Sequence, residues 1–163
     1  LKNDQKERSE NIMIVDLVRN DLSKIAKKGT VKVTELCELH SFKQVHHMIS
    51  TVEAEVLPTV SPVGVISATF PMGSMTGAPK ISAMMIIEAL EETKRGLYSG
   101  AVGYFTPNGD FDFNVVIRSI LYNASNSYVS FSVGSAITSK STPQREYEEC
   151  LVKAKAMRSV LEN

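Results

Sequence analysis

The sequence predicts an α+β fold in which helices pack on a largely antiparallel sheet. Segments with helical periodicity lie at both ends and in the middle of the chain, and runs rich in β-branched residues lie between them. Short turn signals join successive strand-like runs, as in antiparallel hairpins. The order helix, strands, helices, strands, helix is typical of the α+β class. At 163 residues without an internal repeat, the chain suits one domain.

The first half begins with a helix over residues 4–27, which Lys27, Lys28 and Gly29 are predicted to end. Strands are predicted over 31–37 and 45–56, and a short apolar helix over 63–70. The first helix has apolar residues on one face, namely Ile14, Leu17, Val18, Leu22 and Ile25.

The second half begins with a loop of small residues, 73–79, after which Pro79 fits the first turn of a helix reaching Thr93. Met84 and Met85 of that helix are predicted to fill the core. A final helix is predicted over 143–161. Between these helices lie three strand-like runs, separated by turns at 108–110 and 123–126, and they cover 96–105, 111–123 and 127–137.

Composition excludes several classes of protein. Lys and Arg number 18 and Asp and Glu 18, so no net field attracts nucleic acid or an anionic membrane. No apolar run approaches the ~20 residues of a membrane span. Cys37 and Cys150 are too few for a disulfide scaffold and indicate reduced thiols in the cytoplasm. The chain opens without Met inside a helix-like stretch, which favours a piece of a longer protein over a trimmed small one.

Two pairs of glutamates, each three residues apart, are the first candidate for chemistry. Glu7 and Glu10 share a face of the first helix, and Glu146 and Glu149 do so at the start of the last. Each pair alone is explained by the helix dipole. Both pairs lead into apolar stripes, however, and four converging carboxylates would need a cation. Because no paired Cys or His accompanies them, the pattern favours Mg²⁺ over zinc.

Other candidates have simpler alternatives. The loop 73–80 opens a helix and could approach an anion, or it could be an ordinary helix start. Arg118 lies in an apolar run predicted as strand, where it could bind a carboxylate or extend to solvent. His47 could transfer a proton or be structural. The small residues 134–136 could be a turn or allow close approach of a ligand.

Taken together, these segments resemble the C-terminal part of the chorismate-utilising enzymes, a family that includes anthranilate synthase component I and aminodeoxychorismate synthase component I. The similarity covers almost the whole chain, and its combination of motifs is more specific than any one of them. It includes Thr-Gly-Ala-Pro-Lys at 76–80. Thr76 and the segment Phe-Asp-Phe-Asn at 111–114 resemble the aminodeoxychorismate synthases more than the anthranilate synthases. The matching stretches are 7–21, 47–52, 76–80, 95–104, 117–119 and 146–149.

The resemblance implies roles for individual residues. Glu10 and Glu149 match direct Mg²⁺ ligands, and Glu7 and Glu146 match the carboxylates that hold the waters of the metal. Ala136 stands where the family often has glycine. The candidate catalytic residues are His47, Ser74 and Thr76. The candidate substrate-binding residues are Tyr98, Arg118, Gly134, Ser135, Ala136 and Lys153.

The resemblance also implies an activity, namely replacement of the C4 hydroxyl of chorismate by ammonia to give 4-amino-4-deoxychorismate for p-aminobenzoate and folate synthesis. A glutamine amidotransferase subunit would supply the ammonia. The alternatives are amination at C2 with pyruvate release, as in anthranilate synthase component I, and a non-catalytic module that binds a metabolite or a protein.

Residues 1–163 are then expected to be the C-terminal portion, about half, of one chorismate-binding catalytic domain. The family's Pro-Ile-Lys-Gly-Thr or Pro-Ile-Ala-Gly-Thr segment, whose Lys is the nucleophile in aminodeoxychorismate synthases, does not occur in this sequence. The isolated chain is therefore expected to be inactive, to expose apolar surface and to self-associate.

Overall fold

The first helix of the protein lies against an antiparallel hairpin. A computed structural model describes residues 4–42, 46–139 and 141–162. In it, helix α1 (Gln5–Ser23) contacts strands β1 (Lys32–Ser41) and β2 (His46–Glu53). These two strands pair from Lys32 opposite Glu53 to Ser41 opposite His46. The predicted start of the second strand at residue 45 lies outside the described residues.

Helix α1 ends earlier than the sequence predicts. The backbone N–H of Lys24 bonds to the carbonyls of Asp21 and Leu22, which closes the last turn after Ser23. Beyond it, Ala26 forms an antiparallel bridge with Val56, so the chain leaves the helix direction. The prediction that Gly29 ends the helix is therefore wrong; Gly29 lies in a later turn with φ of +80°.

Two more helices follow. Ser61 caps helix α2 (Pro62–Thr69) by accepting from the N–H of Gly64. A 3₁₀ turn (Gly73–Met75) precedes helix α3 (Lys80–Leu90), and Pro79 lies just before α3 rather than in its first turn. Helix α3 buries none of its residues. The prediction that Met84 and Met85 fill the core is wrong, because their exposed fractions are 39% and 69%.

The remaining strands form two small hairpins. Strand β3 (Ala101–Phe105) pairs with β4 (Phe111–Val115), and β5 (Leu121–Asn123) pairs antiparallel with β6 (Tyr128–Ser130). Both turns lie where the sequence predicts them. The described strands thus form three separate two-stranded sheets instead of one, and the predicted strand 111–123 is interrupted between β4 and β5. Helix α4 (Pro143–Leu161) matches its predicted bounds.

The chain divides into two compact units, residues 1–92 with 105–111, and residues 93–104 with 112–163. Each unit has a small core, and no large side chain among the described residues is fully buried. Large apolar side chains are instead widely exposed, as expected from the sequence; Ile81 and Leu90 of α3 are each 76% exposed. No helix in the described ranges is long and apolar enough to cross a membrane. The core residues are Val15, Ile25, Ala26 and Cys37 in the first unit and Val116, Ala154 and Met157 in the second.

Candidate functional site

The first pair of glutamates lies at the capped start of α1. The Asp4 carboxylate accepts from the backbone N–H groups of Lys6 and Glu7 at 2.9 and 3.1 Å. The Glu7 N–H bond is the main reason why the pKa of Asp4 is lowered. Glu7 and Glu10 are both half-buried, and Lys6 Nζ lies 3.7 Å from Glu10 Oε1. Glu10 Oε1 itself is withdrawn from solvent, which suits an oxygen donor to a cation.

Asn11, next to Glu10, fixes this part of α1 to the hairpin. Its Nδ2 donates to the Met48 carbonyl at 3.2 Å, and its Oδ1 accepts from the hydroxyl of Ser50. The Ser50 hydroxyl oxygen accepts in turn from the Cys37 backbone N–H at 2.8 Å. Cys37 is buried in a bulge of β1 with φ of +54°. This cross-link orients the helix that carries Glu7 and Glu10.

His47 lies in β2 opposite His40 and is half-buried. Its ring makes an edge contact with Phe42, with the centroids 6.0 Å apart. This contact orients the imidazole within the first unit. The proton-transfer role of His47 stays a prediction.

The small-residue loop contacts α1 through Gly73 and carries two hydroxyls, those of Ser74 and Thr76. Gly73 is buried against Leu17; a Cβ on Gly73 would lie 2.9 Å from Leu17 Cβ, so only glycine fits there. The Ser74 side chain is exposed and accessible to a ligand. Thr76 Oγ1 donates to the Met72 carbonyl at 3.2 Å, so the hydroxyl also stabilises the turn.

Six residues of the predicted site come together in the second unit. The Tyr98 hydroxyl lies 2.7 Å from where a Cβ on Gly134 would be, so this glycine allows the close approach. Lys153 Nζ donates to the Gly134 carbonyl at 2.9 Å and lies 2.7 Å from Glu149 Oε1. The adjacent Ser135 hydroxyl donates to the Glu146 carboxylate.

The two glutamates of α4 differ in exposure. Glu146 is buried, with 5% of its surface exposed, whereas 43% of the Glu149 side chain is exposed. Ala136 contributes a carbonyl, which accepts from Ser141 Oγ at 3.2 Å. A buried carboxylate, a half-buried one and an ammonium group thus lie beside a small-residue segment where an anionic ligand could approach.

Arg118 is not in a strand. Strand β4 ends at Val115, and the Ile117 N–H bonds back to the Val115 carbonyl in a tight turn. Arg118 follows with φ of +50° and is exposed. The prediction of Arg118 within a strand is therefore wrong. Its substrate-binding role stays a prediction, and an exposed guanidinium can still pair with a carboxylate in two parallel hydrogen bonds.

The carboxylate oxygens of Glu7, Glu10, Glu146 and Glu149 are the ligand type that Mg²⁺ prefers. Within the ranges 4–42, 46–139 and 141–162, no group of three or more His, Cys, Asp or Glu side chains is arranged to hold a metal ion. Mg²⁺ commonly takes only one or two carboxylates, with waters and an anionic ligand completing its shell. The donor chemistry therefore fits, and the Mg²⁺ site stays a prediction.

Sequence reasoning missed Asn11, Ser50 and Asp21. Asn11 interrupts an otherwise good helix-forming segment, and asparagine in a helix interior is a signal to search for a tertiary hydrogen bond. The partners of Asn11 in β2 are 37 or more residues away, and Lys80, the partner of Asp21 at the start of α3, is 59 residues away, so spacing along the chain does not identify them.

Comparison with known proteins identifies the family. The family model for chorismate binding enzyme matches residues 1–159. The chain belongs to the chorismate-binding enzyme family. Its fold is that of the family, because the solved structure of anthranilate synthase component I from Streptococcus pneumoniae TIGR4 superimposes with a TM-score of 0.82 at 38% identity. That alignment covers 95% of this chain and 35% of the other.

Relatives within the chorismate-binding family include two named as aminodeoxychorismate synthases. The rice protein named "Probable aminodeoxychorismate synthase, chloroplastic" is 47% identical over 99% of this chain and 18% of its own length. Aminodeoxychorismate synthase component 1 of Bacillus subtilis is 42% identical over 99% of this chain and 34% of its own. The chain thus spans about a third or less of the length of these relatives.

Proposed function

We propose that the protein containing this chain aminates chorismate at C4 with ammonia and forms 4-amino-4-deoxychorismate. The observation that carries the proposal is the cluster of Tyr98, Gly134, Lys153 and Glu149, within a chain that belongs to the chorismate-binding enzymes. The names of the rice and Bacillus subtilis relatives favour C4 over C2.

The second unit supplies the groups that would hold the substrate. Chorismate is a dicarboxylate, so its recognition needs cations and N–H donors. Lys153 Nζ lies between Glu149 and the Gly134 carbonyl, so its third N–H can be directed to a substrate carboxylate. The Tyr98 hydroxyl lies at the same glycine and can hydrogen-bond the enolpyruvyl group. Arg118 adds a second cation for the other carboxylate.

The family resemblance assigns His47 to the departure of the hydroxyl. The His47 imidazole can give a proton to the leaving oxygen, because a histidine pKa lies near neutral pH. Ser74 offers an accessible hydroxyl to the ring substituents, and Thr76 holds the turn that presents it. Mg²⁺ is the proposed cofactor. The family resemblance gives Glu10 and Glu149 as its direct ligands and Glu7 and Glu146 as the carboxylates that hold its waters; when bound, it would offset the charge of a substrate carboxylate.

A glutamine amidotransferase is the proposed partner, as the source of ammonia. The free thiols Cys37 and Cys150 support a cytoplasmic location for this protein. The second candidate is C2 amination with release of pyruvate, which the similarity to Streptococcus pneumoniae anthranilate synthase component I favours.

The test uses the full polypeptide encoded by the gene that contains this sequence. It is incubated with chorismate, Mg²⁺ and ammonium, and the products are separated and weighed by mass spectrometry. An aminated product that retains the enolpyruvyl group supports the proposal. Anthranilate with an equal amount of pyruvate supports the second candidate. Chorismate that is neither bound nor consumed overturns both and leaves a non-catalytic module.

A further inference from the structure

A buried ion pair joins α1 to the start of α3. Asp21, 4% exposed, accepts from Lys80 Nζ through one carboxylate oxygen. Its other oxygen lies 2.9 Å from Lys24 Nζ. The Lys80 side chain is 16% exposed, so both members of the pair are largely removed from water.

The same ammonium group also closes the small-residue loop. Lys80 Nζ donates to the Pro71 carbonyl at 2.7 Å. Pro71 comes directly before residues 72–79, and Lys80 directly after them. One ammonium group therefore ties both ends of this loop to one carboxylate on α1, and the loop contains Ser74 and Thr76.

A second contact holds the loop to the same face of α1. Gly73 packs against Leu17, one helical turn before Asp21. Glu10 and Leu17 are seven residues apart, and Leu17 and Asp21 are four apart, so all three lie on one stripe of the helix. The face that presents the first glutamate pair is thus also the face that fixes the loop.

We propose that Asp21 and Lys80 are positioning residues, which hold the loop 72–79 in a fixed register on α1 relative to Glu7 and Glu10. A buried ion pair gives little net stability compared with an apolar pair of similar volume. Its bond to a backbone carbonyl, however, selects one loop conformation. The value of this register for the reaction rests on the proposed function, since Ser74 and Thr76 matter there as substrate contacts.

The first experiment measures the loop without any assay of activity. Hydrogen exchange of the amides in 72–79 is followed by mass spectrometry in the 163-residue chain and in Lys80→Met. The backbone bonds of Met75 to Met72 and of Thr76 to Gly73 protect these amides. We expect exchange about 10-fold faster or more in Lys80→Met, as for loss of a hydrogen bond to a charged group.

Lys24→Met is the matched control. It removes the other lysine of Asp21, which is 55% exposed and makes no bond to the loop among those described. In Lys80→Met, Lys24 still neutralises Asp21, so the variant keeps a partner for the buried carboxylate. Equal loop exchange in Lys80→Met and the unchanged chain overturns the proposal, as does equal acceleration by Lys24→Met.

The second experiment separates this proposal from the proposed function. In the full gene product, assayed below its melting temperature, we expect Lys80→Met to lower kcat for chorismate about 10-fold or more while the half-saturating Mg²⁺ concentration stays close to its original value. Absence of chorismate turnover in the unchanged gene product would refute the proposed function alone, because the exchange result stands without it. Turnover that Lys80→Met leaves unaltered refutes the positioning role.

Discussion

Helices α1 and α4 are each 19 residues long and each carry two glutamates three residues apart near the start, but they are fastened differently. Helix α1 is anchored through Asn11, a neighbour of the glutamates, which bonds to Met48 and Ser50. Helix α4 is anchored through a glutamate itself, since buried Glu146 accepts from Ser135. Next to the glutamates of α1, a neutral side chain thus bears the anchoring bonds, whereas in α4 one carboxylate serves both as anchor and as candidate site residue.

The difference shows why spacing alone is a weak guide to function. Both pairs satisfy the i, i+3 pattern and both suit the helix dipole. What distinguishes them is the environment that the rest of the chain supplies. Lys153 pairs with Glu149 from within α4 and also reaches the Gly134 carbonyl, 19 residues away.

The largest expected effect tests the metal role of both helices. Glu10→Gln and Glu149→Gln, made in the full gene product, should each lower Mg²⁺-dependent turnover by more than the ~10–100-fold that loss of an outer hydrogen-bond partner of a metal ligand costs. Both substitutions keep the size of the side chain, so the melting temperature should change little. Steady-state kinetics over a range of Mg²⁺ concentrations measures the effect.

Exposed carboxylates on the same helices are the controls for this experiment. Asp16→Asn on α1 and Glu148→Gln on α4 remove a surface charge that contacts Arg19 and Gln144, respectively. Neither should alter turnover. Full activity in both Glu10→Gln and Glu149→Gln would show that the metal assignment is wrong.

A smaller effect, on stability, tests the two modes of anchoring. Asn11→Ala and Ser135→Ala each remove hydrogen bonding from a partly buried site, and each should lower the free energy of unfolding by about 1–3 kcal/mol. Urea denaturation followed by circular dichroism measures it. Ser9→Ala and Asn20→Ala, at exposed positions of α1, should stay within about 0.5 kcal/mol of the original chain. A free energy of unfolding that stays within about 0.5 kcal/mol of the original chain in either anchoring variant, as in the exposed controls, would contradict this prediction.

Sequence reasoning predicted the elements that depend on local chemistry. Pro143 fixes the start of α4, and the Asn-Gly-Asp turn joins β3 to β4, because such residues restrict the backbone locally. The predicted end of α1 at Gly29 was wrong because Ala26 forms a bridge with Val56, 30 positions away, and this tertiary contact outweighs the local glycine signal. The prediction that Met84 and Met85 lie in the core was wrong because periodicity shows that a helix has an apolar face, but not that another part of the chain covers that face.

The candidate site was predictable in composition but not in its internal contacts. Both glutamate pairs and the loop glycine were visible from spacing and residue size. The approach of Tyr98 to Gly134 joins positions 36 apart, and the Asp21–Lys80 pair joins positions 59 apart. Contacts at such separations depend on tertiary packing. A family resemblance can assign roles to the residues concerned, but periodicity cannot.

The smallest expected effect concerns the caps of the two helices. Asp4 is fully exposed, and its pKa lies below the ordinary value of 3.8 because the carboxylate accepts from the Glu7 and Lys6 N–H groups. A lowered folded-state pKa means that the ionised cap contributes stability above pH 3.8, which is lost as the pH falls through the folded-state value.

At the matching position of α4, Thr142 makes no capping bond through its side chain among the described residues. Asp4→Asn should therefore speed exchange of the Lys6 and Glu7 amides slightly at neutral pH, because a neutral cap loses its interaction with the helix dipole, and this difference should vanish in acid. Thr142→Ala should leave the amides at the start of α4 unaffected at either pH. Exchange followed by nuclear magnetic resonance checks both variants, and a difference for Asp4→Asn that persists below the folded-state pKa would show that the charge of the cap does not stabilise α1.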